Sequence, residues 1–176
     1  MTVEQEKVYL MAAPQPLQDL ATIMLETGMR PAEIYLLKRQ NVFLEKGFLQ
    51  VVNGKTKSSN RRIWLSDKTA DILRRRLEAF KGDFLFPRAA DKDEELPHYL
   101  LHEQHQAAAN RINLNFRLYD CRHTFATRHI ESGTDLLTLA SLLGHSNLNQ
   151  VQRYAHPSEA RKRDAMQKQS VKAKAV

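Results

Sequence analysis

The chain has 176 residues, with 27 Lys and Arg against 20 Asp and Glu, a formal charge of +7 and a pI near 9.6; this suits one globular domain and favours a polyanionic partner. Its single cysteine, Cys121, excludes an intrachain disulfide and a cysteine-based metal site, and fits a reducing, cytosolic compartment. The apolar runs fall short of the roughly 20 residues a membrane helix needs, and the opening MTVEQEKVYL has no basic stretch leading into an apolar one, so neither membrane insertion nor export is indicated.

Leu17, Leu20, Met24 and Thr27 recur at helical spacing, and Gly28 ends the pattern. Pro31 then reads as the first position of a short second helix, PAEIYLL, where its missing N–H costs nothing. Arg30 is thereby held in a tight connection between two helices. FLQVV and RRIWL, separated by the polar NGKTKSSN, read as a β-hairpin with a long basic tip that carries Lys55 and Lys57. Ser66 is placed to cap a helix from Asp67 to about Phe80, with Leu73, Leu77 and Phe80 on one face. GDFLFP and an acidic loop, DKDEELP, follow. A helix across His98 to Ile112 aligns Leu101, His105, Ala108 and Ile112, and its histidines read as surface or core-edge groups rather than ligands. The pattern predicts a further helix from Asp120 to Ser132 closed by Gly133, then one capped by Thr134 that runs to Leu143 and is closed by Gly144. In that last helix Leu136, Leu139, Ala140 and Leu143 form a core stripe. From Ser158 onward, SEARKRDAMQKQSVKAKAV reads as a basic amphipathic helix grading into a disordered tail. The expected fold class is mainly α with a small antiparallel β-sheet at one edge, an α+β arrangement.

Taken singly, each charged residue has an ordinary explanation. An arginine between helices commonly caps carbonyls or pairs with a carboxylate, lysines on a hairpin tip are commonly solvated, and NGKTK lacks the spacing of a phosphate-binding Walker loop. Arg122 differs, because Phe125 and Ile130 of its helix look core-facing and an arginine beside a core needs an anionic partner. His123 reads as packed and hydrogen-bonded within the domain, and Cys121 as a small buried residue. DLLTLASLLGHSNLNQVQRYA also has the cadence of a helix-turn-helix, in which Asn147, Asn149, Gln150 and Gln152 would read bases and Tyr154 would pack or touch phosphate.

Four stretches in order, TGMRPAEIYLL, GKTKSSNRRIWL, LYDCRHTFATRHIESG and LLGHSNLNQVQRYAHP, resemble the motifs of the tyrosine recombinase family of phage integrases and span Thr27 to Pro157. The resemblance implies a tyrosine recombinase catalytic-domain fold and site-specific DNA recombination or integration through a covalent 3′-phosphotyrosyl intermediate. It assigns catalytic positions to Arg30, Lys55, Tyr119, Arg122 and His145, with Tyr154 as nucleophile. Lys57, Arg61, Arg62 and Arg153 are expected to add DNA contacts. Double-stranded DNA is the implied partner, bound by a self-associated synaptic tetramer with accessory DNA-bending proteins, and no membrane, metal or other cofactor is implied. Residues 1–157 would form the catalytic domain and 158–176 a basic element that either docks on a neighbouring protomer or stays solvated; the family's N-terminal core-binding domain is not represented in this chain. The rival readings are a helix-turn-helix module without catalysis and, nearer in chemistry, a type IB topoisomerase.

The side-chain chemistry agrees independently. A phosphodiester gains negative charge on its oxygens as a nucleophile attacks, and two guanidiniums clamping those oxygens stabilise that state. A phenol with a pKa near 10 is only about 0.1% ionised at neutral pH, so it must lose its proton in the transition state or sit beside cations. His145 is suited to hydrogen-bond the phosphate and help with that proton, and Lys55 to protonate the departing 5′-oxygen. One position departs from the family pattern: Tyr119 stands three residues before Arg122, where the family usually has histidine. A phenol can donate to phosphate there but cannot act as a base near neutrality.

Overall fold

A computed structural model of the protein describes residues 1–52, 60–89, 92–95, 98–145, 147–152, 154, 159, 163, 166 and 167. Lys55, Lys57, Arg153 and most of the stretch after Pro157 lie outside the described residues. Helix α1 (Val3–Ala12) starts at a capping box, with the Thr2 hydroxyl accepting from the Gln5 N–H and the Gln5 side chain from the Thr2 N–H. Its apolar residues are spread around the axis and only Tyr9 is buried, so periodicity gives no sign of it while the cap does. Helix α2 (Leu17–Thr27) is buried almost all round, as expected of a helix at the centre of a core.

Gly28 ends α2 in the left-handed region, φ 65°, with its N–H on the Met24 carbonyl. A Cβ there would lie 2.5 Å from the Phe125 ring and 2.9 Å from Leu143. Helix α3 (Pro31–Tyr35) follows at once, with Arg30 as its N-cap residue. Strands β1 (Val42–Phe43), β2 (Phe48–Val51) and β3 (Arg61–Trp64) form an antiparallel sheet in that order, with Leu49 opposite Ile63 and Val51 opposite Arg61. Side chains alternate across β3: Arg61 and Ile63 are buried, Arg62 and Trp64 exposed.

Helix α4 (Asp67–Ala79) has the expected cap, the Ser66 hydroxyl accepting from the Thr69 N–H at 3.3 Å. Two short strands, β4 (Pro87–Ala89) and β5 (Lys92–Glu95), pair antiparallel where loops were expected. The charged sequence has no apolar alternation to announce them, and the pairing is made by the backbone. Helix α5 (His98–Arg111) matches the predicted span within a residue. His105 belongs to the core rather than its edge: its Nε2–H donates to the Phe116 carbonyl and its Nδ1 accepts from the Tyr9 hydroxyl, both at 2.8 Å. Burial lowers its pKa, the Phe116 bond opposing this only in part. Helices α6 (Asp120–Glu131) and α7 (Leu136–Leu143) are joined through Gly133, and α8 (Asn149–Gln152) follows. Asp135, not Thr134, caps α7, because its carboxylate accepts from the Thr138 N–H at 2.9 Å and a negative charge is favoured at a helix N-terminus.

The larger core surrounds α2 and takes Leu49, Ile63, Leu73, Leu101 and Cys121; a smaller one joins Phe125, Ala126, Leu139, Leu143 and Val151, with Tyr154 partly buried against it. Helix α6 contributes to both, so its first turns lie at the seam between them. Among the described residues no helix is long and apolar enough to cross a membrane. Gly28→Ala would force a side chain into a left-handed backbone and against the Phe125 ring, and urea unfolding is expected to show a loss of about 2–4 kcal/mol.

Candidate active site

Glu33 organises the first group of charges. It lies three residues after Arg30, so the start of α3 turns its carboxylate back onto the Arg30 N–H (2.8 Å) and guanidinium (2.9 Å). The same carboxylate receives both terminal nitrogens of Arg61 at 3.0 Å, and Arg61 Nε donates to the Leu142 carbonyl at 2.8 Å. Burial works to raise the Glu33 pKa, but the hydrogen bonds and charge of Arg61, with those of Arg30, outweigh it and hold the carboxyl below its ordinary range. Arg61 was expected to contact DNA. Period-two alternation through Ile63 instead turns it inward, and its guanidinium braces Glu33 and the end of α7. Arg62 points the other way, its guanidinium over the Phe48 ring at 4.2 Å and near Trp64 at 5.9 Å.

Arg122, on the first turn of α6, is 1% exposed. Its Nη1 donates to the Gly28 carbonyl and its Nη2 to the Leu143 carbonyl at 2.7 Å and to His145 Nε2 at 2.9 Å. A guanidinium has no acceptor, so that last contact makes His145 Nε2 the acceptor and places the imidazole proton on Nδ1. Both carbonyls belong to helix ends, where orphan acceptors favour a cation. Burial, and then the nearby charge of Arg30, brings the Arg122 pKa down to about 10, which leaves it protonated at neutral pH. Arg61 pushes in the same direction, while Tyr119 and Glu33 oppose. Glu33 therefore pairs directly with Arg30 and Arg61, and Arg122 feels its charge only through space.

Tyr154 comes to the same seam from the other side. Its N–H bonds the Val151 carbonyl, and its hydroxyl hydrogen-bonds His123 Nδ1, on the residue after Arg122. The Tyr119 ring stands edge-on to His123, 5.2 Å between centroids. Beside Arg30 and Tyr119 opens a cavity of about 1010 Å³, whose wall includes His102, Gln106 and Asn110, exposed at four-residue intervals along α5. The structure thus gathers Arg30, Arg122, His145 and Tyr119 into one neighbourhood and brings Tyr154 to it through His123. Glu33, His123 and the α5 row were not identified as site residues from sequence. The three-residue spacing of Arg30 and Glu33 was a usable signal, whereas nothing local links His123 to a tyrosine 31 positions on.

A helical domain edged by a small sheet, with this cationic seam, is an integrase catalytic-domain fold. The solved catalytic domain of bacteriophage HP1 integrase matches it with a TM-score of 0.70 at 24% identity, over 95% of this chain and 92% of that one. The chain belongs to the phage integrase family, whose model matches residues 3–161. It is similar to the tyrosine recombinase XerD of Pseudomonas aeruginosa, 32% identical over 170 residues that cover 88% of this chain and 56% of that one. The Tn1549 transposon integrase, solved in complex with circular intermediate DNA, matches with a TM-score of 0.83 at 21% identity, over 96% of this chain and 66% of that one. The chain spans about half the length of the curated relatives it matches.

Glu33→Gln would leave the buried Arg61 charge uncompensated, and denaturant unfolding at neutral pH is expected to show a loss of about 3–5 kcal/mol. Since the folded carboxyl titrates below its unfolded value of about 4.3, the stabilisation is complete above that pH and lost as pH falls through the lower folded pKa. The difference between wild type and Glu33→Gln should accordingly shrink below about pH 4.

Proposed function

We propose that the protein is a site-specific recombinase or integrase that cleaves and rejoins double-stranded DNA through a covalent 3′-phosphotyrosyl intermediate. The carrying observation is the charge imbalance at the seam: among the described residues Arg30 and Arg61 pair with the one carboxylate of Glu33 while Arg122 is bound by two carbonyls and His145, and an anion in the adjoining cleft would restore the balance. A scissile phosphodiester supplies that anion. Arg30 and Arg122 would hold its non-bridging oxygens and stabilise the charge that develops on them. His145 would hydrogen-bond the phosphate, and Tyr119 would position it without acting as a base. Tyr154 would attack, and Lys55, in the segment joining β2 to β3, would protonate the 5′-oxygen. The phosphotyrosyl ester conserves the energy of the broken bond, so rejoining needs no external energy source.

DNA would run along the cleft past His102, Gln106 and Asn110, with Lys57, Arg62 and Arg153 adding phosphate contacts. Two copies on each of two sites would form the synaptic tetramer, with accessory DNA-bending proteins shaping the substrate and residues 158–176 available to a neighbour. We place the protein in the cytoplasm. The helix-turn-helix alternative loses support because α8 is a four-residue helix with Val151 buried, and Tyr154 is engaged with His123.

A nicked suicide substrate bearing the protein's own attachment site should trap a covalent adduct at Tyr154. Tyr154→Phe should abolish the adduct while DNA retention stays within about twofold; persistence of cleavage would sink the mechanism. Arg122→Ala is expected to slow adduct formation by at least about 10²-fold, the usual scale for losing one oxyanion-stabilising group, read in single-turnover gels.

A further inference from the structure

With Tyr119 where the family pattern has histidine, the phenolic proton of Tyr154 needs another acceptor. His145 is poorly placed to supply it, since its Nε2 accepts from Arg122 and its Nδ1 carries the proton. We propose that His123 takes the proton of Tyr154, with Asp120 stabilising the resulting imidazolium, so that an Asp120–His123–Tyr154 relay replaces the imidazole missing at position 119. This step rests on the strand-cleavage reading above.

Three contacts support it. His123 Nδ1 is hydrogen-bonded to the Tyr154 hydroxyl, with the rings 5.8 Å apart. On the far side of the imidazole, Nε2 lies 3.9 Å from Asp120 Oδ1, one turn earlier on α6. The edge-on ring of Tyr119 fixes the plane of the imidazole between them. Asp120 is itself held, its Oδ2 accepting from the Arg117 N–H at 2.9 Å and its Oδ1 facing the Arg117 guanidinium at 3.4 Å. Among the described residues, the charged and titratable groups facing His123 include Asp120 with Arg117 behind it, Tyr119, Tyr154 and the neighbouring Arg122. With the nucleophile's hydroxyl hydrogen-bonded to one imidazole nitrogen, and a carboxylate within ion-pair distance of the other once that ring is protonated, the histidine is placed to act as a general base.

The step balances. As the Tyr154 oxygen bonds to phosphorus, its O–H bond breaks and the proton passes to His123 Nδ1. The bond from phosphorus to the 5′-oxygen breaks, and that oxygen takes a proton from Lys55. On rejoining, a 5′-hydroxyl attacks phosphorus and gives its proton to the Lys55 amine, and the His123 imidazolium returns its own to the departing Tyr154 oxygen.

Two measurements test the relay. In the DNA-free wild type, ¹⁵N–¹H correlation spectra at neutral pH should show the proton of His123 on Nε2 and none on Nδ1; an Nδ1–H tautomer overturns the proposal. On the suicide substrate, the wild-type rate should rise through the imidazole range and level off. His123→Asn keeps an acceptor near the phenol but cannot take a proton, so it should run about 10²–10⁴-fold slower at that plateau. Its rate should go on rising toward the phenol range, with DNA retention unchanged. An unchanged rate and profile in that variant would show that His123 only positions the tyrosine, and the relay would be rejected. Absence of any wild-type adduct on a verified site would overturn the cleavage reading itself, a failure the tautomer measurement distinguishes because it needs no turnover.

Discussion

The Arg122 guanidinium joins the two halves of this domain. At 1% exposure it is tied to the carbonyl of Gly28 after α2 and of Leu143 at the end of α7, elements that belong to different hydrophobic clusters. Burying a cation is costly unless its donors are satisfied, and two helix ends satisfy them with acceptors that had no partner within their own helices. Gly28 makes this possible twice over: its left-handed backbone presents the carbonyl, and its lack of a side chain admits Phe125 and Leu143. Lysine could not replace this arginine, because an ammonium lacks the planar fork that reaches two carbonyls and an imidazole together.

The surrounding charges are arranged so that this cation is incompletely neutralised. Glu33 serves Arg30 and Arg61 directly and Arg122 only through space. Such an arrangement gives up stability, since like charges gathered in a partly buried site repel. Under the proposed function it would gain a preorganised anion site that needs little rearrangement when a phosphate enters. Arg61 shows how closely structural and functional duties are interleaved here. It sits beside the candidate site, and its hydrogen bonds to Glu33 and to the Leu142 carbonyl brace the groups that surround that site.

Tyr154 is held in an equally economical way. Its backbone closes onto Val151, its ring leans on the smaller cluster, and its hydroxyl meets His123. His123 follows Arg122 on α6, so one helical turn presents both the guanidinium that reaches His145 and the imidazole that meets Tyr154. The variant residue Tyr119 contributes packing against His123, a role open to an aromatic ring whatever its acid–base chemistry.

Most of the helices were legible in the sequence because their signals are local: periodicity in α2 and α7, the Ser66 cap, Pro31, and glycines at 28, 133 and 144. Helix α1 escaped because it has no apolar stripe, and β4 and β5 because their pairing lies in the backbone. The ordered motifs pointed to Arg30, Arg122, His145 and Tyr154 through their resemblance to a family pattern, and side-chain chemistry agreed with it. Tertiary structure decided what each faces: that Arg61 turns inward, that Glu33 is shared, that His145 accepts from Arg122, and that His123 meets Tyr154. Those pairings join residues as far apart as 28 and 31 positions. Periodicity and capping report on neighbours a few residues away, whereas these contacts exist only once α2, α6 and α7 have packed.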